Sequence, residues 1–363
     1  MNRRIDISLS RACCTAMRGL AIVVIVFHNF VHLLRGTVDE NEYGYLQSNV
    51  DRFLRALGGA HQLGYDLLSF VGWYGVPVFI FLTGYGLVRK YEVGGVPLSR
   101  GRFVWDSYRK LLCLIVPGVV LMTITLTALI MSYGNAPSIG LFGNELFQLT
   151  LLPDVVLPLI EPSPGVYWYF GLALQLYVIY ALLIYRRPAW WMAVAVAVSL
   201  VGQALLADSA DGLSWFRHNA TGWVMLLVLG VLYGRRKAPV SSALVVAVVL
   251  VSVAGFVPSM FNFYTWQLSL VAVVVIVIAF GKLTMRIAVW RDLWIWLGEL
   301  SPYLFAAHPV VRQWFYFGIP DLRASALLVV CYFVASVAMA VVYKQMWRLV
   351  CVGLRRLSPR YFG

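Results

Sequence analysis

The stretch Met17–Leu34, MRGLAIVVIVFHNFVHLL, decides how the rest of the chain is read. Its apolar run is long enough to enter a bilayer, with Arg18 at the start, His28 further in and His32 one turn on. Ten residues at about 1.5 Å each carry His28 about 15 Å from Arg18, roughly half of a hydrocarbon core about 30 Å thick. The imidazole thus lies near the midplane, where polar side chains are costly and usually face a bundle interior or a pathway. The guanidinium can snorkel to one face.

Composition agrees with a membrane setting. The chain has 363 residues, 61% of them hydrophobic, against about 45–50% in soluble domains. Mean hydropathy is +0.79. These values make it an integral membrane protein whose first partner is the lipid bilayer. The net charge of +13 is therefore read by position, as topology, and not as a nucleic-acid signal.

Working outward, apolar spans follow near 67–88, 111–133, 166–185, 189–206, 216–233, 239–257, 265–280, 293–311 and 324–343. With the first, this predicts an all-α polytopic bundle of about ten transmembrane helices, N- and C-termini cytoplasmic, forming a single domain. The cytoplasmic segments of this arrangement hold 23 of the 29 Lys and Arg residues. The opposite loops hold only Arg35, Arg52, Arg55, Arg217, Arg312 and Arg323, the bias that positive-inside topology demands. Two long outer loops, 35–66 and the Pro- and Leu-rich 134–165, are expected to cover the outer mouth. Trp168 and Tyr169 are expected at the membrane junction. The N-terminal run has no small-residue cleavage site and reads as an uncleaved first helix. Five cysteines with no metal-like spacing predict neither a disulfide nor a metal site.

Few residues can carry chemistry. His28 and His32 share a helix face, with no third metal ligand nearby. His61 and His218 fall on outer loops and need no special account, while His308, in SPYLFAAHPVV, is a second candidate. In GWYGVPVFIFLTGYGLVRKY, Gly72, Gly75, Gly84 and Gly86 permit close helix approach. Pro77 is expected to free backbone groups in mid-span. The segment 89–110 carries six basic residues among Trp105 and Tyr108. Topology accounts for their sign, and their density also suits an anionic phosphate donor. No Gly-rich phosphate loop is present. The triplet Asn219-Ala-Thr221 is a glycosylation sequon of the kind that arises by chance.

With these residues in view, the chain resembles acyltransferase family three, integral-membrane O-acyltransferases that typically modify bacterial surface glycans. Four segments carry the resemblance: RGLAIVVIVFH, GVPVFIFLTGY, WYFGLALQLYVIY and SPYLFAAH. They hold the Arg–His helix, a Gly-Val-Pro segment with Thr83 and Tyr85 as variants, a Gln175–Tyr177 pair, and a late Ser301-to-His308 run. Three departures stand out. The family's Arg and His are eleven positions apart, which returns both to nearly one face at about 100° per residue. Here the offset is ten, about 80° away on an ideal helix. Asn29 takes the offset-eleven position, and a π-bulge would restore the alignment. Ala173 stands where many members carry an acid, and no fused outer hydrolase-like domain is expected.

The resemblance implies an acyl-CoA donor, most often acetyl-CoA, as substrate with no further cofactor. It implies a glycan or lipid-linked sugar acceptor and a bacterial inner membrane. His28 would be general base or transient acyl carrier, with Arg18 positioning the donor. Arg109 and Lys110 would add phosphate contacts, and Thr83, Gln175 and His308 would line the site. The competing readings are a glycan or lipid-linked intermediate transporter, an acyltransferase of the other membrane type built on His308, and an inactive relative.

Overall fold

The computed structural model describes residues 4–59, 62–156, 167–319 and 321–357, with side chains as far as 348. His61, most of the Pro- and Leu-rich stretch, the Cys351 side chain and the end of the C-terminal tail lie outside the described residues. What is described is an all-α bundle with one short strand pair, Arg4–Ile5 (β1) antiparallel to Val240–Ser241 (β2).

The first helix, α1 (Arg11–Val31), begins at Ser10, whose Oγ accepts from the Cys13 amide and so satisfies a free N–H of the first turn. The expected outer loop 35–66 instead holds two amphipathic pieces, α2 (Gln47–Leu57) and the start of α3 (Leu63–Val71). A 3₁₀ turn at Gly72–Tyr74 joins α3 to α4 (Gly75–Val88), which ends in a π turn at Arg89–Val93. Pro77 therefore lies in the first turn of α4, just after the 3₁₀ turn and near the middle of the continuous helical span Leu63–Val93. The long α5 (Arg100–Ser132) starts eleven residues before the apolar span, because Arg, Lys and Tyr continue a helix that hydropathy alone does not register.

The second half opens with α6 (Ile139–Gln148) and α7 (Trp168–Ile179), the latter closing in a π turn at Tyr180–Ile184. Then follow α8 (Ala189–Leu205), α9 (Ala210–His218) and α10 (Val224–Arg235). The sixth expected span is thus two helices, broken by a 3₁₀ turn at Ala220–Gly222. The chain ends with α11 (Ser242–Ser259), α12 (Trp266–Thr284), α13 (Ala288–Gly318) and α14 (Ala326–Leu357). Among the described residues, six helical segments are long and apolar enough to cross a membrane, and α7, α8 and α10 are shorter apolar helices. The chain is an integral membrane protein.

Two backbone-to-backbone crossings set the frame. At the α1–α13 crossing, a Cβ on Gly298 would overlap the Thr15 carbonyl, and one on Gly19 would overlap that of Trp294. At the α4–α10 crossing, Gly84 meets the Leu227 carbonyl and Gly230 meets that of Phe81. Small residues let backbones approach where lipid supplies no hydrophobic drive. Gly86, by contrast, faces open space.

Beside two of the helix-interior prolines, hydroxyls complete the backbone ladder. Pro302 leaves the Gly298 carbonyl without an amide, and Ser301 Oγ donates to it at 2.8 Å. Beside Pro117, the Tyr343 hydroxyl enters the α5 ladder, donating to the Leu114 carbonyl and accepting from the Gly118 amide. At the N-terminal end of α1, Tyr85 Oη accepts from Leu9 N (3.0 Å) and donates to Leu9 O (2.9 Å), fixing where the first helix enters. Near that end Arg235 and Glu92 form a half-buried bridge of 2.8 Å.

Candidate functional site: two cavities meeting at Phe305

Between α1, α4, α5, α7 and α13 lies a cavity of about 800 Å³, within the size range of ligand pockets. Arg11, Thr15 and Arg18 come from successive turns of α1, because spacings of three and four residues share a helix face. Thr83 from α4, Tyr169, Ala173 and Tyr177 from α7, and Glu299 from α13 complete its polar and aromatic lining. Arg18 is exposed into this space, and among the described residues no carboxylate lies within 4 Å of it. Glu299 is 3.6 Å from Lys344. The space therefore presents unneutralised cationic charge at the N-terminal end of α1.

A second cavity of about 190 Å³ lies at the other end of α1. His28, Asn29 and His32 line it from α1, Glu40, Glu42 and Tyr43 from the following loop, and Trp168, His218, Phe305 and Arg312 from elsewhere. His28 is 7% exposed, and its Nδ1 has no hydrogen-bond partner among the described residues. Gly72 makes room for it, since a Cβ there would overlap the His28 Cβ. The His32 ring is 5.5 Å away. Ser69 Oγ spends its only proton on the Val38 carbonyl (2.6 Å), so at 3.2 Å it accepts from His32 Nδ1. That bond leaves the lone pair of a neutral His32 on Nε2.

Several residues read as outer-loop residues are interior. His218 is 6% exposed, stacks on Tyr43 at 3.8 Å and donates Nδ1–H to the Ser214 carbonyl at 2.8 Å. Arg217 is 1% exposed, with its guanidinium 3.8 Å from the Trp266 ring and Nε donating to Gln203 Oε1. Arg312 lies within α13. Trp168 is buried against Tyr43 instead of sitting in an interfacial belt. The physical reason is common to all four. Short helices and the loop 32–46 form a folded cap, so a position outside the membrane span can still be inside the protein. Burial pushes the Glu40 carboxyl up to about 7 and holds Glu42 well above the carboxylate range.

The helix α1 is α-helical throughout, so no π-bulge brings Arg18 and His28 onto one face. They open into different cavities, and Phe305, packed among Tyr169, Phe170 and His308, lines both. The family comparison bears on the same elements: the acyltransferase domain of family 3 matches residues 12–344. The chain belongs to acyltransferase family 3. Neither curated proteins nor solved structures give a match.

The expected positions of this family 3 acyltransferase divide in three. Arg18 and Thr83 line the larger cavity, with Thr83 Oγ1 donating to the Phe79 carbonyl at 2.9 Å. His28 lines the smaller one. Gln175, His308, Arg109 and Lys110 line neither. Gln175 ties α7 to the cap, bonding Asn219 Oδ1 and the Ala220 amide, each at 3.0 Å. His308 is fully buried and gives its Nδ1–H to the Leu304 carbonyl at 2.9 Å. Arg109 and Lys110 sit in the α5 turn before Leu111 and Leu114, which form a cavity wall. The lining residues that sequence reasoning missed are Glu40, Glu42, Tyr43, His218 and Arg312, whereas Asn29 and His32 were noted there only for their places on the helix. One signal was available: His28 and His32, and likewise His308 and Arg312, are four residues apart.

Proposed function

We propose that this acyltransferase moves an acyl group, most simply acetyl, from cytoplasmic acyl-CoA to a hydroxyl of a surface glycan or its lipid-linked precursor. The observation that carries this reading is the pair of cavities meeting at Phe305, one cationic and one holding a buried histidine. In this reading the chain crosses a bacterial inner membrane about ten times as one functional unit, with both ends in the cytoplasm. The larger cavity then opens to the side where acyl-CoA is made.

Each residue has a distinct task. Arg18, with Arg11 two turns before it on the same face, pairs with donor phosphate. The acyl end passes beside Phe305 into the smaller cavity. There His28 accepts the proton of the acceptor hydroxyl as its oxygen attacks the thioester carbonyl. Direct transfer suffices, with no acyl-histidine. On the acceptor side, Tyr43 and Trp168 offer aromatic faces and Glu40 and Glu42 offer hydrogen-bonding carboxyls, a combination suited to a sugar.

The test is sided. Radiolabelled acetyl-CoA is supplied to membrane vesicles of each orientation, and label in polysaccharide and lipid-linked sugar is counted. Label is expected only when the donor meets the cytoplasmic face. Equal labelling from the opposite face would refute the assignment of the larger cavity to the donor.

A further inference from the structure

In acyl transfer the carbonyl oxygen becomes negatively charged as the nucleophile attacks, and a donor or cation fixed in advance at that place lowers the barrier. Neither His28, which takes the proton, nor Arg18, in the other cavity, can meet that need. Arg312 is the only Lys or Arg lining the His28 cavity among the described residues.

Its surroundings differ from those of the protein's structural arginines. Arg235 has Glu92, and Arg217 has Gln203, a backbone carbonyl of Asn41 and the Trp266 ring. Arg312 has no carboxylate within 4 Å among the described residues. Its hydrogen bond is from Nη1 to Asn29 Oδ1, at 3.5 Å. Asn29 is itself oriented, since its Nδ2 donates to the Ile25 carbonyl at 3.0 Å and so turns Oδ1 toward the guanidinium. Asn29 and His28 are adjacent on α1, so the residue that receives the proton and the residue that holds the cation move together. Burial shifts the two glutamates of this cavity toward their neutral forms, and neither forms an ion pair with Arg312.

Resting on the proposed acyl transfer at His28, we infer that Arg312 is a further catalytic residue, stabilising the oxyanion of the tetrahedral intermediate, and that Asn29 positions it. The acceptor oxygen bonds to the thioester carbon, its proton passes to His28, and the carbonyl π pair moves onto oxygen beside Arg312. When that pair returns, the C–S bond breaks and the CoA sulfur leaves with the proton from His28.

The experiment is steady-state transfer from acetyl-CoA to a glycan acceptor in nanodiscs, with kcat and KM separated for both substrates. Arg312→Gln is expected to lower kcat about 10²- to 10³-fold, the loss seen on removing one oxyanion donor, with each KM within about twofold. Arg312→Lys, keeping a charge, is expected to recover much of that kcat, and Asn29→Ala to lose about tenfold. A folded Arg312→Gln protein with wild-type kcat, or with its loss confined to KM, would overturn the inference. If Arg312→Gln does not fold, a wild-type kcat in Asn29→Ala overturns it. An active His28→Ala protein would remove the underlying reading instead, so the two failures are distinguishable.

Discussion

Arg18 and His28, ten residues apart on one uninterrupted α-helix, open into two different cavities whose shared wall is Phe305. An offset of eleven would bring the two side chains onto one face, and an offset of ten does not. In the proposed reaction, donor binding and proton transfer therefore fall in separate cavities, and the donor must reach from one to the other past Phe305.

Arg18→Ala is expected to raise KM for acyl-CoA about tenfold or more, the size of one lost charge-assisted hydrogen bond, with kcat little changed. Titrating acetyl-CoA at saturating acceptor measures this. A fall in kcat at constant KM would place Arg18 at the reacting atoms, contrary to its separate cavity.

Gly72→Ala is expected to impair transfer without touching substrate, because its methyl group would overlap the His28 Cβ. The ring must move, and a misplacement of about 1 Å can cost on the order of 100-fold. Activity matching wild type in the folded variant would show that the position of His28 is not critical.

The α1–α13 crossing should govern stability. Gly298→Ala places a Cβ onto the Thr15 carbonyl, and overpacking of this kind costs about 1–3 kcal/mol. Gly86→Ala meets nothing and is expected to hold or slightly raise Tm. Thermal unfolding in detergent compares them, and equal Tm values would contradict the crossing.

The cap should respond to pH. Burial raises Glu40 from its usual value of 4.5 to about 7, so the folded protein holds a proton that the unfolded chain has released. The corresponding stability is fully present below about pH 4.5 and is lost as pH rises through 7. Tm is expected to fall between pH 5 and 8, and Glu40→Gln to flatten that slope. An unchanged slope in the variant would assign the proton elsewhere.

Much of this was legible in the sequence. The apolar spans were readable because a helix crossing lipid must be apolar along most of its length, and nearly every expected span has its helix. The Arg18–His28 helix and the mismatch of its offset were also readable. The interior of the cap was not. Positive-inside counting assigns Arg217 and Arg312 to a side of the membrane and says nothing about whether loops fold over them. Arg312 reads as a loop charge because hydropathy falls after Val311, yet α13 continues to Gly318. His308 drew notice as a histidine near the outer end of the ninth expected span. Its Nδ1–H bond to the Leu304 carbonyl gives it a local backbone partner, which no sequence pattern announces.

The most direct test of the account is thiol release from acetyl-CoA by purified protein in lipid nanodiscs, with a glycan acceptor present, beside a His28→Ala variant of equal Tm. The account predicts acceptor-dependent release by the wild type and a loss of at least about 100-fold in the variant, as expected for a missing general base. Equal release by a well-folded His28→Ala protein would contradict it.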